Sequence, residues 1–278
     1  MIDILLNFVK QAGEYLTAPR QEVTPLLNKT NSVESLVTSA DIHISDLFAE
    51  TIKHHFSHLN YIIIDEETIA KASDNIFEQI NNTEYQFVID PIDGTLQYAF
   101  NHALYGITIG VYKKAEPLLG IIYLPKINEL IYYDGKKAYW VQNAFLKTEY
   151  KAELLPQSRS SSPIIFGHPW LWNLTDNFSI SNAIFLDYYS AVSQSFYPLI
   201  GKAKAYAMKV NLWDIAGAIP IADYLGLKIY EYGSTKCCNT ISAEHFNTKM
   251  GMKKPHILCH QEDYAEVCSL ITPKKSSL

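Results

Sequence analysis

Four groups of acidic residues could form one catalytic or metal-binding site. Three of the groups follow a short apolar run or open a helix-like stretch, and such positions converge at one edge of an α/β sheet, where ligands bind. The stretch IDPIDGT places two carboxylates directly after the apolar run 87–89. The four groups are Asp41, the pair Glu66 and Glu67, the pair Asp90 and Asp93, and Asp214 in NLWDIAGA.

Carboxylates at one sheet edge predict a site for hard divalent cations. Carboxylate and carbonyl oxygens suit Mg²⁺ or Mn²⁺ rather than zinc, and crowded carboxylates repel one another unless cations neutralise them. Two ions about 3.5–4 Å apart can drive the hydrolysis of phosphate esters. A turn at Pro91 would point Asp90 and Asp93 into one site and leave the Ile92 carbonyl free as a further ligand.

The residues after the second aspartate predict a phosphate contact. Gly94 and Thr95 are expected to open a helix, whose first amides can hold a phosphate, and the Thr95 hydroxyl could orient an attacking water. The D-P-x-D-G spacing is equally typical of a turn that caps a helix. The residues alone therefore leave a structural turn and a catalytic turn both open.

Length and composition restrict the class of protein. The chain has 278 residues, a formal net charge of −6 and a hydrophobic fraction of 48%, which fits one large domain or two tightly joined ones. The mild acidity argues against nucleic acid as the main partner. The start of the chain lacks the features of a signal peptide, and no run of about 18 apolar residues predicts a membrane span.

The cysteines indicate a reducing compartment, so we expect a cytoplasmic protein. None of them forms a C-x-x-C pair, which argues against a zinc site. They are Cys237, Cys238, Cys259 and Cys268.

The hydrophobic pattern predicts two halves of different character. Apolar residues at helical spacing predict a helix over 2–17, and another helix could begin near Asp41. β-Branched and aromatic segments from Tyr105 to Trp140 predict an antiparallel meander. The polar stretch 151–163 is the expected junction. Beyond it, short apolar strands alternate with helical stretches, so we expect an N-terminal subdomain over 1–150 and an α/β subdomain over 151–278.

The motifs DPIDGT and WDIAGA, with the strand end IDEE before them, resemble those of the inositol monophosphatase family. The matching motifs run from about Lys29 to Ala218. The resemblance implies a layered αβαβα sandwich of the sugar-phosphatase type, with an antiparallel-sheet half followed by an α/β half. It also implies hydrolysis of a small phosphorylated substrate with two or three Mg²⁺ ions. Substitution by Mn²⁺, inhibition by Li⁺ and a homodimer are further expectations, with no nucleic acid or membrane as partner.

The resemblance also implies roles for individual residues. Thr95, paired with Asp41, would position the nucleophilic water, and Glu66 would act in catalysis as well as in metal binding. The implied metal ligands are Glu66, Asp90, the Ile92 carbonyl, Asp93 and Asp214. The implied phosphate- and substrate-binding residues are Asp93, Gly94, Thr95 and Asp214.

Several positions depart from the family pattern. Asp65 replaces a glycine before Glu66 and adds a carboxylate, and Lys29 lies one residue out of the usual spacing. The inositol-binding glutamate of the family corresponds to Ala207. Leu96, Gln97 and Phe100 also differ from the family's residues.

These departures leave the alcohol half of the substrate open. An inositol monophosphate, a sugar phosphate or a nucleotide phosphate would each fit, and a nucleotide 3′-phosphatase or a fructose-1,6-bisphosphatase is a further possibility within the enzyme class. A different class is a weakly catalytic or non-catalytic family member that acts by binding another protein.

Overall fold

The computed structural model describes residues 1–19, 27–28, 36–37, 39–69, 75–157, 159–168, 171–174 and 183–274. No helix within these residues is both long and apolar enough to cross a membrane. The helices are α1 Ile2–Thr17, α2 Ser39–Phe56, α3 Glu66–Ile69, α4 Ile76–Asn82, α5 Thr95–Ala99, α6 Ala191–Leu199, α7 Leu212–Ile215, α8 Ala218–Leu225 and α9 Gln261–Leu270.

The strands contain many β-branched and aromatic residues, as strand propensity favours. They are β1 Leu27–Asn28, β2 Leu36–Val37, β3 Tyr61–Asp65, β4 Tyr85–Asp93, β5 Gly106–Lys113, β6 Glu116–Leu124, β7 Glu129–Tyr133, β8 Ala138–Gln142, β9 Tyr150–Leu154, β10 Ile164–Gly167, β11 Trp172–Leu174, β12 Ile184–Leu186, β13 Ala205–Met208, β14 Leu227–Glu231, β15 His256–His260 and β16 Ile271–Pro273.

Seven strands, β3 to β9, form one sheet in which each strand pairs with its neighbour in the chain. The β3–β4 pair is parallel, and every later pair is antiparallel. The predicted meander is thereby confirmed. Strand β9 begins at residue 150 and continues into the stretch 151–163, so the first part of the expected junction is strand. The proposed division of the chain at 150 and 151 stays a prediction.

A second sheet of five strands has the order β12-β10-β13-β15-β14. Strand β10 lies parallel to both β12 and β13, whereas β15 is antiparallel to its two neighbours. Helices lie between β12 and β13 and between β13 and β14, so this half has the mixed α/β character that was predicted. Two short antiparallel pairs, β1–β2 and β11–β16, lie apart from the large sheets.

Helices and sheets stack in five layers. Helix α1 buries Leu5, Phe8 and Ala12 at intervals of three and four residues, and Phe8 meets Phe48 of α2 edge to face. Together α1 and α2 cover one face of the seven-stranded sheet. Helices α6 and α8 fill the space between the two sheets, and α9 covers the outer face of the second sheet. The predicted αβαβα sandwich is confirmed.

The corner between α7 and α8 lies directly on the seven-stranded sheet. A Cβ atom on Gly110 would lie 2.3 Å from the Ala216 carbonyl oxygen, and a Cβ on Gly120 would lie 2.3 Å from the Gly217 carbonyl oxygen. The Tyr112 hydroxyl donates to the Ala216 carbonyl at 2.9 Å. Because backbone packs on backbone here, the position of α7 relative to strands β5 and β6 is tightly restricted.

We predict that Gly110→Ala destabilises the fold by about 2–3 kcal/mol, the upper part of the range for overpacked sites, because the added methyl has no room beside Ala216. Gly167→Ala is the matched control, since its Cβ would meet Ala207 only at an ordinary 3.4 Å. Urea unfolding of both variants measures the difference. Equal midpoints for the two variants would show that the close approach has no energetic importance.

Candidate active site

A cleft of about 430 Å³ opens where the two halves of the sandwich meet. Glu66 at the start of α3, Asp90 and Asp93 from β4, and Asp214 from α7 form its acidic wall. The structure therefore brings together four of the carboxylates that the sequence singled out. One carboxylate oxygen from each of the three aspartates lies within 4.8 Å of the others.

The turn at the end of β4 sets the direction of the first aspartate. The pairing of β4 with β5 is irregular between Asp90 and Asp93, and the Asp90 Oδ1 atom accepts a hydrogen bond from the Ile92 amide at 3.0 Å. The Ile92 carbonyl accepts from the Thr95 hydroxyl at 3.1 Å. The carbonyl oxygen keeps a second lone pair, and Ile92 lines the cleft, so its role as a metal ligand stays a prediction.

Asp93 joins the two halves of the chain. Its carboxylate accepts hydrogen bonds from the amides of Ala191, at 3.1 Å, and Val192, at 2.9 Å. The Ser190 hydroxyl also donates to it. Ser190 is the N-cap of α6, so the negative charge lies at the positive end of that helix, where it is favoured.

Gly94 makes this contact possible. Its φ of +81° lies in the left-handed region, and a Cβ there would come within 3.0 Å of the Ser190 Cβ. It is the N-cap of α5, which begins at Thr95 as predicted. The glycine thus serves both the turn and the junction between the halves.

Asp214 is held by its own helix. The Asn211 amide donates to Asp214 Oδ2 at 2.7 Å, and the Asn211 side chain completes a capping box with the Asp214 amide. The segment before α7 is itself paired, because the Leu212 amide donates to the Met250 carbonyl at 2.8 Å. One oxygen of Asp214 is therefore used in capping, and the carboxylate is fixed against the acidic wall.

Proximity and burial oppose ionisation of these groups. Burial, followed by repulsion from Glu66 and Asp93, raises the pKa of Asp90 well above its ordinary value. Burial raises the pKa of Asp93 to about 6, despite the hydrogen bonds from Ser190 and the α6 amides. Burial and repulsion from Asp93 raise the pKa of Asp214 to about 7. Bound cations would favour the ionised carboxylates and lower these pKa values. The oxygen atoms of the acidic wall therefore fit hard divalent ions.

Thr95 lies beside Asp41 on the same side of the cleft. Its hydroxyl is 3.3 Å from Asp41 Oδ1, and Asp41 is buried in the first turn of α2. The predicted pair is therefore in contact. The hydroxyl can donate to Asp41 or to the Ile92 carbonyl, which leaves its lone pairs available to another group.

The positions that depart from the family pattern have structural partners. Asp65 accepts a hydrogen bond from the Glu67 amide at 3.0 Å, and it is absent from the residues that line the cleft. Gln97 donates to the Tyr188 carbonyl at 2.8 Å and so connects α5 to the second half.

Ala207 packs among apolar residues on the far side of β13, whereas its neighbour Tyr206 lines the cleft. Lys29 lies outside the described residues.

Several cleft residues were not found from the sequence. The spacing of Asn211 and Asp214 is that of a capping box, and this signal could have identified Asn211. Ser190 had only the weak signal of a helix N-cap. His168 and Tyr206 carried none, because His168 directly follows β10 and Tyr206 lies in β13, and only the fold brings them to the cleft.

Known proteins share both sequence and fold with this chain. The sequence model of the inositol monophosphatase family matches residues 1–240. Inositol monophosphatase 2 of Solanum lycopersicum is 30% identical over 129 residues, which cover 46% of each chain, so the match spans about half the length of that relative. The solved structure of an IMPase/NADP phosphatase with NADP and Ca²⁺ has a TM-score of 0.74 at 19% identity, covering 96% of this chain and 93% of that one.

A second solved structure, of an IMPase/NADP phosphatase with Mg²⁺ and phosphate, has a TM-score of 0.69 at 19% identity. It covers 96% of this chain and 93% of that chain. At these identities the likeness shows a common fold, which agrees with the five-layer arrangement described above.

The raised pKa values of the acidic wall predict how stability depends on pH in protein stripped of divalent ions. Asp93 and Asp214 titrate near 3.8 in the unfolded chain but at about 6 and about 7 when folded. The native state therefore binds more protons, and the free energy of unfolding should decrease as pH rises from about 4 to about 7. Thermal melts in chelator measure this slope.

Saturating Mg²⁺ should remove most of that slope, because the ions stabilise the ionised carboxylates. Asp90→Asn in chelator is the matched variant, and it should melt at a higher temperature than the parent near pH 7. A melting temperature in chelator that is flat or rises over this pH range would contradict the electrostatic account.

Proposed function

Because the chain belongs to the inositol monophosphatase family, we propose that it is a metal-dependent phosphatase that hydrolyses a small phosphorylated alcohol. The observation that carries this proposal is the meeting of Asp90, Asp93 and Asp214 in one cleft, with their ligand atoms within 4.8 Å of one another. Without cations, ionised carboxylates at this spacing repel one another. With divalent cations bound, the same carboxylates can serve as ligands for the hydrolysis of a phosphate ester.

The residues that would hold the ions are those of the acidic wall. Glu66, Asp90, the Ile92 carbonyl, Asp93 and Asp214 would hold the Mg²⁺ ions. Bound Mg²⁺ supplies a Lewis acid for the phosphate oxygens and lowers the pKa of a water. A third ion, replacement by Mn²⁺ and inhibition by Li⁺ stay predictions from the family resemblance.

The protein itself would orient the water that attacks phosphorus. Asp41 is a buried acceptor 3.3 Å from the Thr95 hydroxyl. A hydrogen bond to Asp41 would fix that hydroxyl with a lone pair toward the cleft, so that the Thr95 oxygen accepts a hydrogen from the water. Glu66, on the acidic wall, would contact the same water. The amides of Gly94 and Thr95 are the proposed contacts of the phosphate.

The opposite side of the cleft would receive the alcohol. His168 and Tyr189 contact each other edge to face, and Tyr206 completes this wall. Burial, with the charges of Asp93 and Asp214, raises the pKa of Tyr206 well above its ordinary value, so its phenol stays protonated and can donate. Such a wall suits a hydroxyl-bearing ring such as a cyclitol, a sugar or a ribose.

Relatives of this fold suggest which alcohols to test. One was solved with NADP and Ca²⁺, one with inositol monophosphate and one with 2′-AMP. We therefore place the substrate of this chain among the inositol, sugar and nucleotide phosphates. The homodimer and the cytoplasmic location expected from the sequence also belong to this proposal.

The expected result is Mg²⁺-dependent phosphate release from at least one of inositol 1-phosphate, fructose 1,6-bisphosphate, 2′-AMP and NADP. Asp90→Asn should reduce kcat/KM by roughly 10³-fold, since the metal that Asp90 would help to hold supplies several kcal/mol of transition-state stabilisation. Asp223→Asn is the control, because Asp223 lies on α8 in an exposed ion pair with Lys228. The assay measures released phosphate at several Mg²⁺ concentrations.

If none of these compounds is hydrolysed at any Mg²⁺ concentration, the alternative of a family member that acts by protein binding is favoured. Equal activity of Asp90→Asn and Asp223→Asn would show that hydrolysis occurs at another site.

The role of the threonine has its own test. Thr95→Ala should lower kcat by about 10²-fold, the size typical of a lost proton-handling contact, with little change in KM. Thr95→Ser keeps the hydroxyl and should recover most of the rate. A Thr95→Ala enzyme with unchanged kcat would remove Thr95 from the mechanism.

A further inference from the structure

A second group of possible metal ligands lies outside the acidic cleft. Cys238, His245 and His256 are all buried, with exposed fractions of 1%, 5% and 1%. One ligand atom from each lies within 4.8 Å of the other two. None of the three lines the cleft of the proposed active site.

The two imidazoles each present a buried nitrogen without a hydrogen-bond partner among the described residues. These atoms are His245 Nδ1 and His256 Nε2. The other nitrogen of His256, Nδ1, lies 2.8 Å from the Lys254 carbonyl. It must donate there, so Nε2 carries the lone pair. A histidine whose second nitrogen donates to a backbone carbonyl is arranged as metal-ligating histidines are.

A hydrogen-bond network within the group would not satisfy these atoms. His245 also donates to the backbone of Cys237, and this bond uses its other nitrogen, so Nδ1 carries a lone pair as His256 Nε2 does. The Cys238 thiol has one hydrogen, so it can donate to one of these two nitrogens and leaves the other unpaired. A buried unpaired polar atom costs about 1–3 kcal/mol. Burial also lowers the pKa of His256 to about 4 and that of His245 below its ordinary value, so both rings are neutral at pH 7. Neutral imidazoles are the form that binds metal.

We propose that Cys238, His245 and His256 form a binding site for a zinc-type ion. Thiolate sulfur and imidazole nitrogen favour Zn²⁺, whereas the oxygen-only cleft favours Mg²⁺. In a tetrahedral zinc site the ligand atoms lie about 3.3–3.6 Å apart, so shifts of about an ångström would close this group around an ion. The Cys238 thiol would release its proton to solvent, and a water would take the fourth position.

The nearby charges favour a cation. Glu231, at the end of β14, is 9% exposed, and its negative charge acts on both His245 and His256. It is paired with Lys254 at 2.5 Å. The carboxylate offsets part of the cost of placing a dication among apolar residues, while the charges of Lys254 and Lys236, which act on His256 and His245, oppose it.

The ion would fasten the segment 232–255, which joins β14 to β15. Its ligands come from the beginning and the middle of this segment and from the first residue of β15. The same segment supports the start of α7, since the Met250 carbonyl accepts from the Leu212 amide and the Met252 amide donates to the Val210 carbonyl, both at 2.8 Å. We therefore assign the ion a structural role that extends to the helix of Asp214.

Metal analysis and cobalt substitution of the full chain test this site. Protein purified without chelator should contain about one zinc per chain. Metal-stripped protein titrated with Co²⁺ should develop a thiolate-to-cobalt charge-transfer band, which the oxygen ligands of the cleft do not produce. Cys238→Ser should lose the band. Cys259→Ser, a buried cysteine of β15 outside the group, should keep it.

Stability gives a second readout. Zn²⁺ should raise the melting temperature of stripped wild-type protein and of Cys259→Ser, but not that of His256→Gln. If Cys238→Ser does not fold, the cobalt–thiolate band of the wild-type protein and the melting temperature of His256→Gln still show whether the Cys238 group binds metal. Folded wild-type protein that shows neither a cobalt–thiolate band nor a melting shift with Zn²⁺ overturns the proposal.

The test of the Cys238 site with cobalt is independent of the proposed phosphatase activity. Asp90→Asn should lose hydrolysis and keep the cobalt–thiolate band, because the two donor sets share no residue. A cobalt–thiolate band that disappears in folded Asp90→Asn would show that the cobalt site depends on the cleft and would overturn the second, separate site.

Discussion

Mutual repulsion among buried carboxylates is the constraint on which the arrangement of this protein depends. Asp90, Asp93 and Asp214 lie close enough to share an ion, and each has a pKa raised by burial. A fold can hold such groups only if other contacts compensate for their separation from water. Backbone amides supply part of that compensation, and divalent cations would supply the rest.

The compensating contacts also join the two halves of the molecule. Asp93 ends a strand of the seven-stranded sheet, yet its hydrogen bonds come from Ser190 and the first amides of α6 in the other half. Gly94 lets the two segments approach, and Gly110 lets the corner after α7 lie against the sheet. The acidic cleft is therefore an interface between the halves, and movement of one half would displace ligands of the other.

Two donor sets of different chemistry are both connected to α7. The cleft presents oxygen atoms, which suit a hard ion that exchanges water and binds phosphate. The group around Cys238 presents sulfur and nitrogen atoms, which suit an ion that holds a segment in place. The second group is joined to the first through residues 250–252, which pair with the residues before Asp214. A structural ion there would therefore stabilise the acidic wall through the segment before α7.

The sequence by itself determined the local features: the helix over 2–17, the meander, the turn at DPIDGT and the capping of α5 by Gly94, because each depends on neighbours within a few residues. It also indicated that the carboxylates would meet, since strand ends share an edge of a sheet. Only the tertiary structure decided which face of β13 lines the cleft, where Tyr206 and not Ala207 is presented. It alone placed Ser190 on Asp93, and Cys238 beside His245 and His256. Asp93 and Ser190 are far apart in the chain, and the group at Cys238 forms only when the segment 232–255 folds back on β15. The geometry of these contacts arises from tertiary packing, which no local spacing encodes.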